Sequence, residues 1–284
     1  MGPVNLSIFK NLVTSRFLLP AVTLALLAGA AGAQTAKLPA DYLSEAVNHA
    51  WFYPSLREAE TYFTNLKEGG VYETPLVVRF GLSMRGLVPA GKVAGRAGHH
   101  HLLINQTLPS DSNKSLPFSD KYIHFGKGQM EMVANLPPGP HVFRLLLANQ
   151  EHIPYFVYSK PLHITVSKQN TDLTPASVQG PPRVELLSPA DRATVTPPFR
   201  VQFHASGYNV SHKLPGVAGT GHFRLTMERA GRKPEVLSFT GGETETWLNP
   251  PAGDYTMRLE LVSNTVIGKV IDSSGSSALS VVAR

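Results

Sequence analysis

Apolar and polar residues alternate along most of this chain in short runs, with proline and glycine between them. Val77–Leu82, His99–Asn105, Met130–Asn135, Val142–Ala148 and Leu162–Val166 read as strands, because alternate side chains of an extended segment face opposite ways. Short strands punctuated by turn residues predict an all-β chain of immunoglobulin-like β-sandwiches. No strand–helix–strand alternation and no dinucleotide-binding glycine pattern interrupts this reading. One helical pattern lies near Asp41–Trp51, where Trp51, Phe52 and Tyr53 read as docking residues.

The pattern occurs twice. Ile123-His124-Phe125-Gly126-Lys127-Gly128-Gln129-Met130-Glu131 aligns with Leu237-Ser238-Phe239-Thr240-Gly241-Gly242-Glu243-Thr244-Glu245. Leu136-Pro137-Pro138-Gly139 through Arg144-Leu145-Leu146-Leu147 aligns with Pro250-Pro251-Ala252-Gly253 through Arg258-Leu259-Glu260-Leu261. Thr74-Pro75 and Thr196-Pro197 precede matching strands, and Gly98-His99 parallels Gly221-His222. Conserved order within one chain is the mark of a tandem repeat. The expected division is a first sandwich over residues 55–168, a Pro/Ser/Thr/Gly-rich linker over 169–182, and a divergent second sandwich over 183–284.

Residues 1–33 read as an export signal, ahead of an N-terminal segment at 34–54. Lys10 and Arg16 are the positive start, Phe17–Ala28 the apolar run, and Ala31-Gly32-Ala33 the small-residue cleavage site. The run is too short to span a bilayer comfortably, and no second long apolar stretch follows, so no transmembrane segment is expected in the mature chain. The chain has no cysteine, which rules out disulfides, thiolate metal sites and lipid attachment at a thiol. These features lead to a periplasmic or secreted protein. The formal charge of +6 is spread along the sequence. Without a basic stripe or aromatic platform there is no footprint for nucleic acid; anionic envelope polymers or envelope proteins fit the mild positive charge better.

The chemistry concentrates in Gly98-His99-His100-His101-Leu102-Leu103-Ile104 and in His124-Phe125-Gly126-Lys127-Gly128-Gln129. In the second copy, Phe223, Leu225 and Met227 form the apolar face of the matching strand. By that register His100, Leu102 and Ile104 face the core, and His99 and His101 share the other face. His101 corresponds to Arg224, His124 to Ser238 and His152 to Val266, so three imidazoles vanish together in the second copy while the turn residues persist. Loss as a group points to one site built from His99, His101, His124 and His152. Such a thiolate-free, nitrogen-rich set suits zinc or copper. Hydrogen-bonded acceptors behind the imidazoles are expected of such a centre, and Met130 and Met132 offer a thioether to copper or, more simply, core packing.

The same motifs carry a family resemblance. Phe80-Gly81-Leu82, Val88-Pro89-Ala90-Gly91, Gly98 to Ile104, His124 to Gln129 with Glu131, Leu136-Pro137-Pro138-Gly139 and His152-Ile153-Pro154 resemble the bacterial exported family catalogued as domain of unknown function 4399. The resemblance spans about residues 60–167, with the second copy a divergent relative. It implies an exported β-rich domain and assigns no activity. Three functions remain open on the sequence: a non-catalytic protein binding a transition metal or small ligand, a structural or interaction module whose histidines serve the fold, and a metal-dependent hydrolase. The last has least support, with no acid close in sequence and no Gly-x-Ser-x-Gly elbow.

Overall fold

A computed structural model of the chain describes residues 44–54 and 58–284. The export-signal reading of residues 1–33 lies outside the described residues. In the first copy the strands are β1 (Thr61–Phe63), β2 (Gly70–Thr74), β3 (Leu76–Leu82), β4 (His99–Ile104), β5 (Tyr122–His124), β6 (Glu131–Ala134), β7 (Gly139–Ala148), β8 (Pro154–Tyr158) and β9 (Leu162–Gln169). They form one sheet in the order β1-β3-β6 and another in the order β2-β9-β7-β4-β5, with β8 beside β7. Val78 and Phe80 of the small sheet meet Leu102, Ile104, Phe143 and Leu145 of the large one in a common core. Each such side chain, fully buried, contributes about 1.5–3 kcal/mol.

Between the copies the expected linker carries a single-turn helix, α1 (Pro175–Gln179), whose N-terminus is capped by Thr174. The second copy contains β10 (Arg183–Ser188), β11 (Ala193–Val195), β12 (Phe199–Ser206), β13 (Asn209–Val210), β14 (Thr220–Glu228), β15 (Glu235–Phe239), β16 (Glu245–Leu248), β17 (Gly253–Ser263), β18 (Val270–Ser273) and β19 (Ser277–Val281). Its sheets run β10-β12-β16 and β11-β19-β17-β14-β13, with β15 beside β14 and β18 beside β17. Phe203, Phe223 and Phe239 are fully buried between them. The chain is thus two tandem β-sandwiches, as the alternating pattern predicts. The helical pattern near Asp41–Trp51 reduces, over its described part, to one 3-10 turn at Glu45–Asn48. Beyond that turn Trp51 packs edge-on against Tyr255, and Phe52 pairs with Leu248.

The two copies grip each other through matching positions. The Leu87 amide donates to the Gly242 carbonyl at 2.9 Å, and the Val210 amide donates to the Gly128 carbonyl at 2.9 Å. Both glycines have positive φ, +94° at Gly128 and +80° at Gly242. A β-carbon on Gly128 would collide with the Val210 carbonyl oxygen, and one on Gly242 with the Leu87 carbonyl oxygen. The Gly126-Lys127-Gly128 turn therefore serves the joint between copies.

A buried carboxylate adds to this joint. Glu131 accepts from His204 Nε2 at 3.0 Å, Ser206 Oγ at 2.5 Å and Gln179 Nε2 at 2.9 Å. Burial opposes its charge, but those hydrogen bonds outweigh it and hold the carboxyl down to about 2. His204, which has no patterned partner in the sequence, finds one here. In the counterpart position Glu245 accepts from the Tyr62 hydroxyl at 2.6 Å and pairs with Arg200.

Gly128→Ala and Gly242→Ala are each expected to cost about 2 kcal/mol, combining left-handed strain with a disturbed interlock. Gly91 also has positive φ, +72°, but faces open space, so Gly91→Ala should cost about 1 kcal/mol or less. Urea unfolding of the three variants measures this; equal losses at all three positions would remove the interlock.

Candidate functional site

Strand β4 is held on both edges, paired with β7 and with β5, and all six of its residues are buried. The register sets His101 opposite Leu146 on one side and His124 on the other, with His99 opposite Ala148. Directly opposed residues of an antiparallel pair share a face. His99, His101, Leu103, Leu146 and Ala148 consequently line one face of the sheet. On the other face His100 packs edge-on against Phe80, 4.9 Å between ring centroids, on the core side with Leu102 and Ile104.

His152 arrives from the turn between β7 and β8. Its backbone is left-handed, φ +64°, a conformation uncommon for residues other than glycine. Asn149 holds that turn: its side-chain oxygen accepts from the Glu151 and Ile153 amides at 2.9 Å each, and its carbonyl accepts from the His152 amide at 3.0 Å. Strain maintained in this way is often found at functional sites.

The structure brings all four sequence-selected imidazoles, His99, His101, His124 and His152, together. One ring nitrogen from each lies within 4.8 Å of the other three. His99 Nε2 is 3.1 Å from His152 Nδ1 and 3.2 Å from His101 Nε2. Hydrogen bonding cannot fully use both contacts, because a ring nitrogen carries either a proton or a lone pair in the ring plane. Coordination can. Bonds of roughly 2.0–2.1 Å around a tetrahedral ion place neighbouring nitrogens about 3.3 Å apart. The widest pair would have to close by about 1.5 Å to reach that spacing.

Burial dominates the electrostatics. It pushes His99 down to about 3 and His101 down to about 2, with neighbouring imidazoles adding to the effect. His124 is lowered too, by burial first and then by His152. Neutral imidazole is the ligating form. Among the described residues the acceptors expected behind these rings are not found at His99 and His101, whose Nδ1 atoms are buried without a hydrogen-bond partner there. Met130 is fully buried in a hydrophobic core and Met132 packs against another, so both methionines serve packing.

Phe118 was not singled out from the sequence. Its ring stands edge-on to His124 at 5.1 Å and to His152 at 4.8 Å while remaining 61% exposed. It sits in the loop spanning 105–121, which Leu116 anchors by packing with Leu103, Leu146 and Ala148. The Leu116 amide also donates to the His152 carbonyl at 2.9 Å. A lone phenylalanine among polar loop residues was the available signal. In the second copy β14 and β15 are joined by residues 229–234 alone. There Arg224, opposite Ser238 and Glu260, forms an ion pair with Glu260 at 2.7 Å. His222, the counterpart of His99, bonds through Nδ1 to Asn264 Oδ1 at 2.7 Å. Other histidines are separately engaged: His49 with Glu235, His141 with Asn105 and the Pro137 carbonyl, and His163 with Glu68.

Comparisons with known proteins agree with two copies. A family model described as "Domain of unknown function (DUF4399)" matches residues 78–167 and 201–270. Among solved structures, the fibronectin(III)-like modules of Clostridium thermocellum CbhA are similar at 10% identity and a TM-score of 0.22, over 79% of this chain and 94% of that one. The FN1-FN3 domains of chicken CNTN1 are similar at 9% identity and a TM-score of 0.23, over 77% of this chain and 68% of that one. A two-domain fibronectin type-III segment of chicken tenascin is similar at 14% identity and a TM-score of 0.19, over 77% and 95% respectively. With TM-scores this low, the sandwich architecture rests on the chain's own sheets and cores. No curated protein matches the chain.

His100 yields a separate test. It is fully buried, neither ring nitrogen has a well-formed hydrogen bond, and burial pushes it down to about 3. The unfolded chain protonates this ring near its ordinary value of 6.5, so stability is complete above that pH and falls as pH drops towards 3. In metal-free protein His100→Leu should therefore gain about 2 kcal/mol over wild type on going from pH 7 to pH 5. Urea unfolding at both pH values measures it, and parallel losses in the two proteins would refute the linkage.

Proposed function

The chain belongs to the DUF4399 family, and on that footing we propose that it is an exported, non-catalytic binding protein whose first sandwich holds a transition metal through His99, His101, His124 and His152. The observation that carries this reading is His99 Nε2, in contact with two other ring nitrogens at 3.1 and 3.2 Å. Coordination to one ion accounts for such crowding, whereas hydrogen bonding satisfies only part of it. Zinc or copper suits an all-imidazole set. The second copy supports the assignment by contrast, since Arg224, ion-paired with Glu260, stands at the position of His101.

Export to the periplasm or beyond rests on Lys10, Arg16, the Phe17–Ala28 run and Ala31-Gly32-Ala33, together with the absence of cysteine. Among the described residues, no helix is long and apolar enough to cross a membrane. A second reading, a structural or interaction module of the envelope, is favoured by the unpartnered Nδ1 atoms of His99 and His101. Hydrolysis ranks below both, because the four-residue group contains no carboxylate to act as a base.

Titration of the purified full chain with Zn²⁺ and Cu²⁺ separates these readings. Wild type should take up one ion, and the double variant His101→Ala/His124→Ala should bind it at least about 100-fold more weakly. Saturation at 100 times the dissociation constant should stabilise wild type by about 2.7 kcal/mol. Equal, negligible uptake by two folded proteins would leave the structural module as the function.

A further inference from the structure

A dication in this centre would sit among uncharged ligands beside an apolar wall. The four-residue group holds no aspartate or glutamate. On the same sheet face Leu103, Leu146 and Ala148 are buried, closed over by Leu116. A buried charge without a counter-charge is strongly disfavoured. The second copy shows how the same scaffold balances one: Arg224 faces Glu260, at the position that Leu146 occupies in the first copy. The first copy has neither that carboxylate nor the arginine. The counter-charge for a bound metal must then come from outside the four ligands.

The direction of approach is visible. His99 and His101 are fully buried, whereas His124 and His152 are partly exposed. Phe118 lies over those two outer rings, carried by a loop that the second copy shortens from residues 105–121 to residues 229–234. The longer loop and three of the four imidazoles occur in the first copy and are absent from the second, which ties the loop to the site.

Building on the metal-binding reading, we propose that the metal centre takes a small exogenous anion, inorganic or carboxylate, as a fifth ligand beside the four imidazoles on its His124–His152 side, and that Phe118 limits the anion's size. The anion supplies the negative charge that Glu260 supplies in the second copy. The Phe118 ring, edge-on to both outer imidazoles, stands in the path of an aromatic acid.

The test uses the full chain loaded with Cu²⁺, wild type and Phe118→Ala, titrated with azide, formate and benzoate under visible absorption and electron paramagnetic resonance. Azide and formate should shift the copper spectrum of both proteins, with azide affinities within about threefold of each other. Benzoate should bind Phe118→Ala at least about tenfold more tightly than wild type. A copper-loaded wild type whose spectrum ignores azide and formate overturns the anion site and leaves metal binding standing. Equal benzoate affinities in the two proteins overturn the role of Phe118. Failure to load copper or zinc, read before any anion is added, overturns both this inference and the function it rests on.

Discussion

The pairing of β4 with β7 and β5 is the constraint on which the site depends. A slip of one residue in an antiparallel ladder turns every side chain to the opposite face. Such a slip would send His99 and His101 into the core and bring His100 out. The observed register prevents it, since Leu102 and Ile104 must meet Phe80 and Phe143. Core packing thus places the imidazoles, although the imidazoles contribute little to the core. Once His101 is opposite His124, only His152 has to be delivered from elsewhere, and the Asn149-supported turn does so at the cost of a left-handed backbone.

The two copies solve one desolvation problem in different ways. At the position of His101 the second copy has an arginine, neutralised across the sheet by Glu260. The first copy instead gathers imidazoles, whose neutral form survives burial because their protonation is suppressed. At the joint between copies charge is buried with several partners, as at Glu131, which accepts from three residues. In the histidine cluster His99 Nε2 instead meets two ring nitrogens, where it can hydrogen-bond to only one. Buried polar groups generally find partners they can fully use, and crowding of one nitrogen beyond what hydrogen bonds can satisfy is a reason to look for a ligand.

Much of this was legible before any coordinates. The long runs Val77–Leu82, Val142–Ala148 and Leu162–Val166 were recognisable as strands because each carries enough alternating apolar residues to define a face. Strands β1, β2, β5 and β8 were not, being short or at sheet margins, where burial leaves a weaker pattern. The four histidines were found by comparing the copies, a signal internal to the chain. Phe118 escaped because the loop bearing it has no counterpart in the second copy to compare. His204 was equally opaque: its partner, Glu131, is 73 residues away and belongs to the other copy.

The amino-acid order was sufficient to establish an all-β duplicated chain, the identity of its turns, and which imidazoles differ between the copies. Those properties follow from local periodicity and from residue-by-residue alignment, both carried by neighbours in the chain. Distances were another matter. That His99, His101, His124 and His152 approach within 4.8 Å of one another, and that Glu131 lies at the joint between the copies, depends on strand register and on sandwich packing. These arise from contacts between segments far apart in sequence, and no local pattern encodes them.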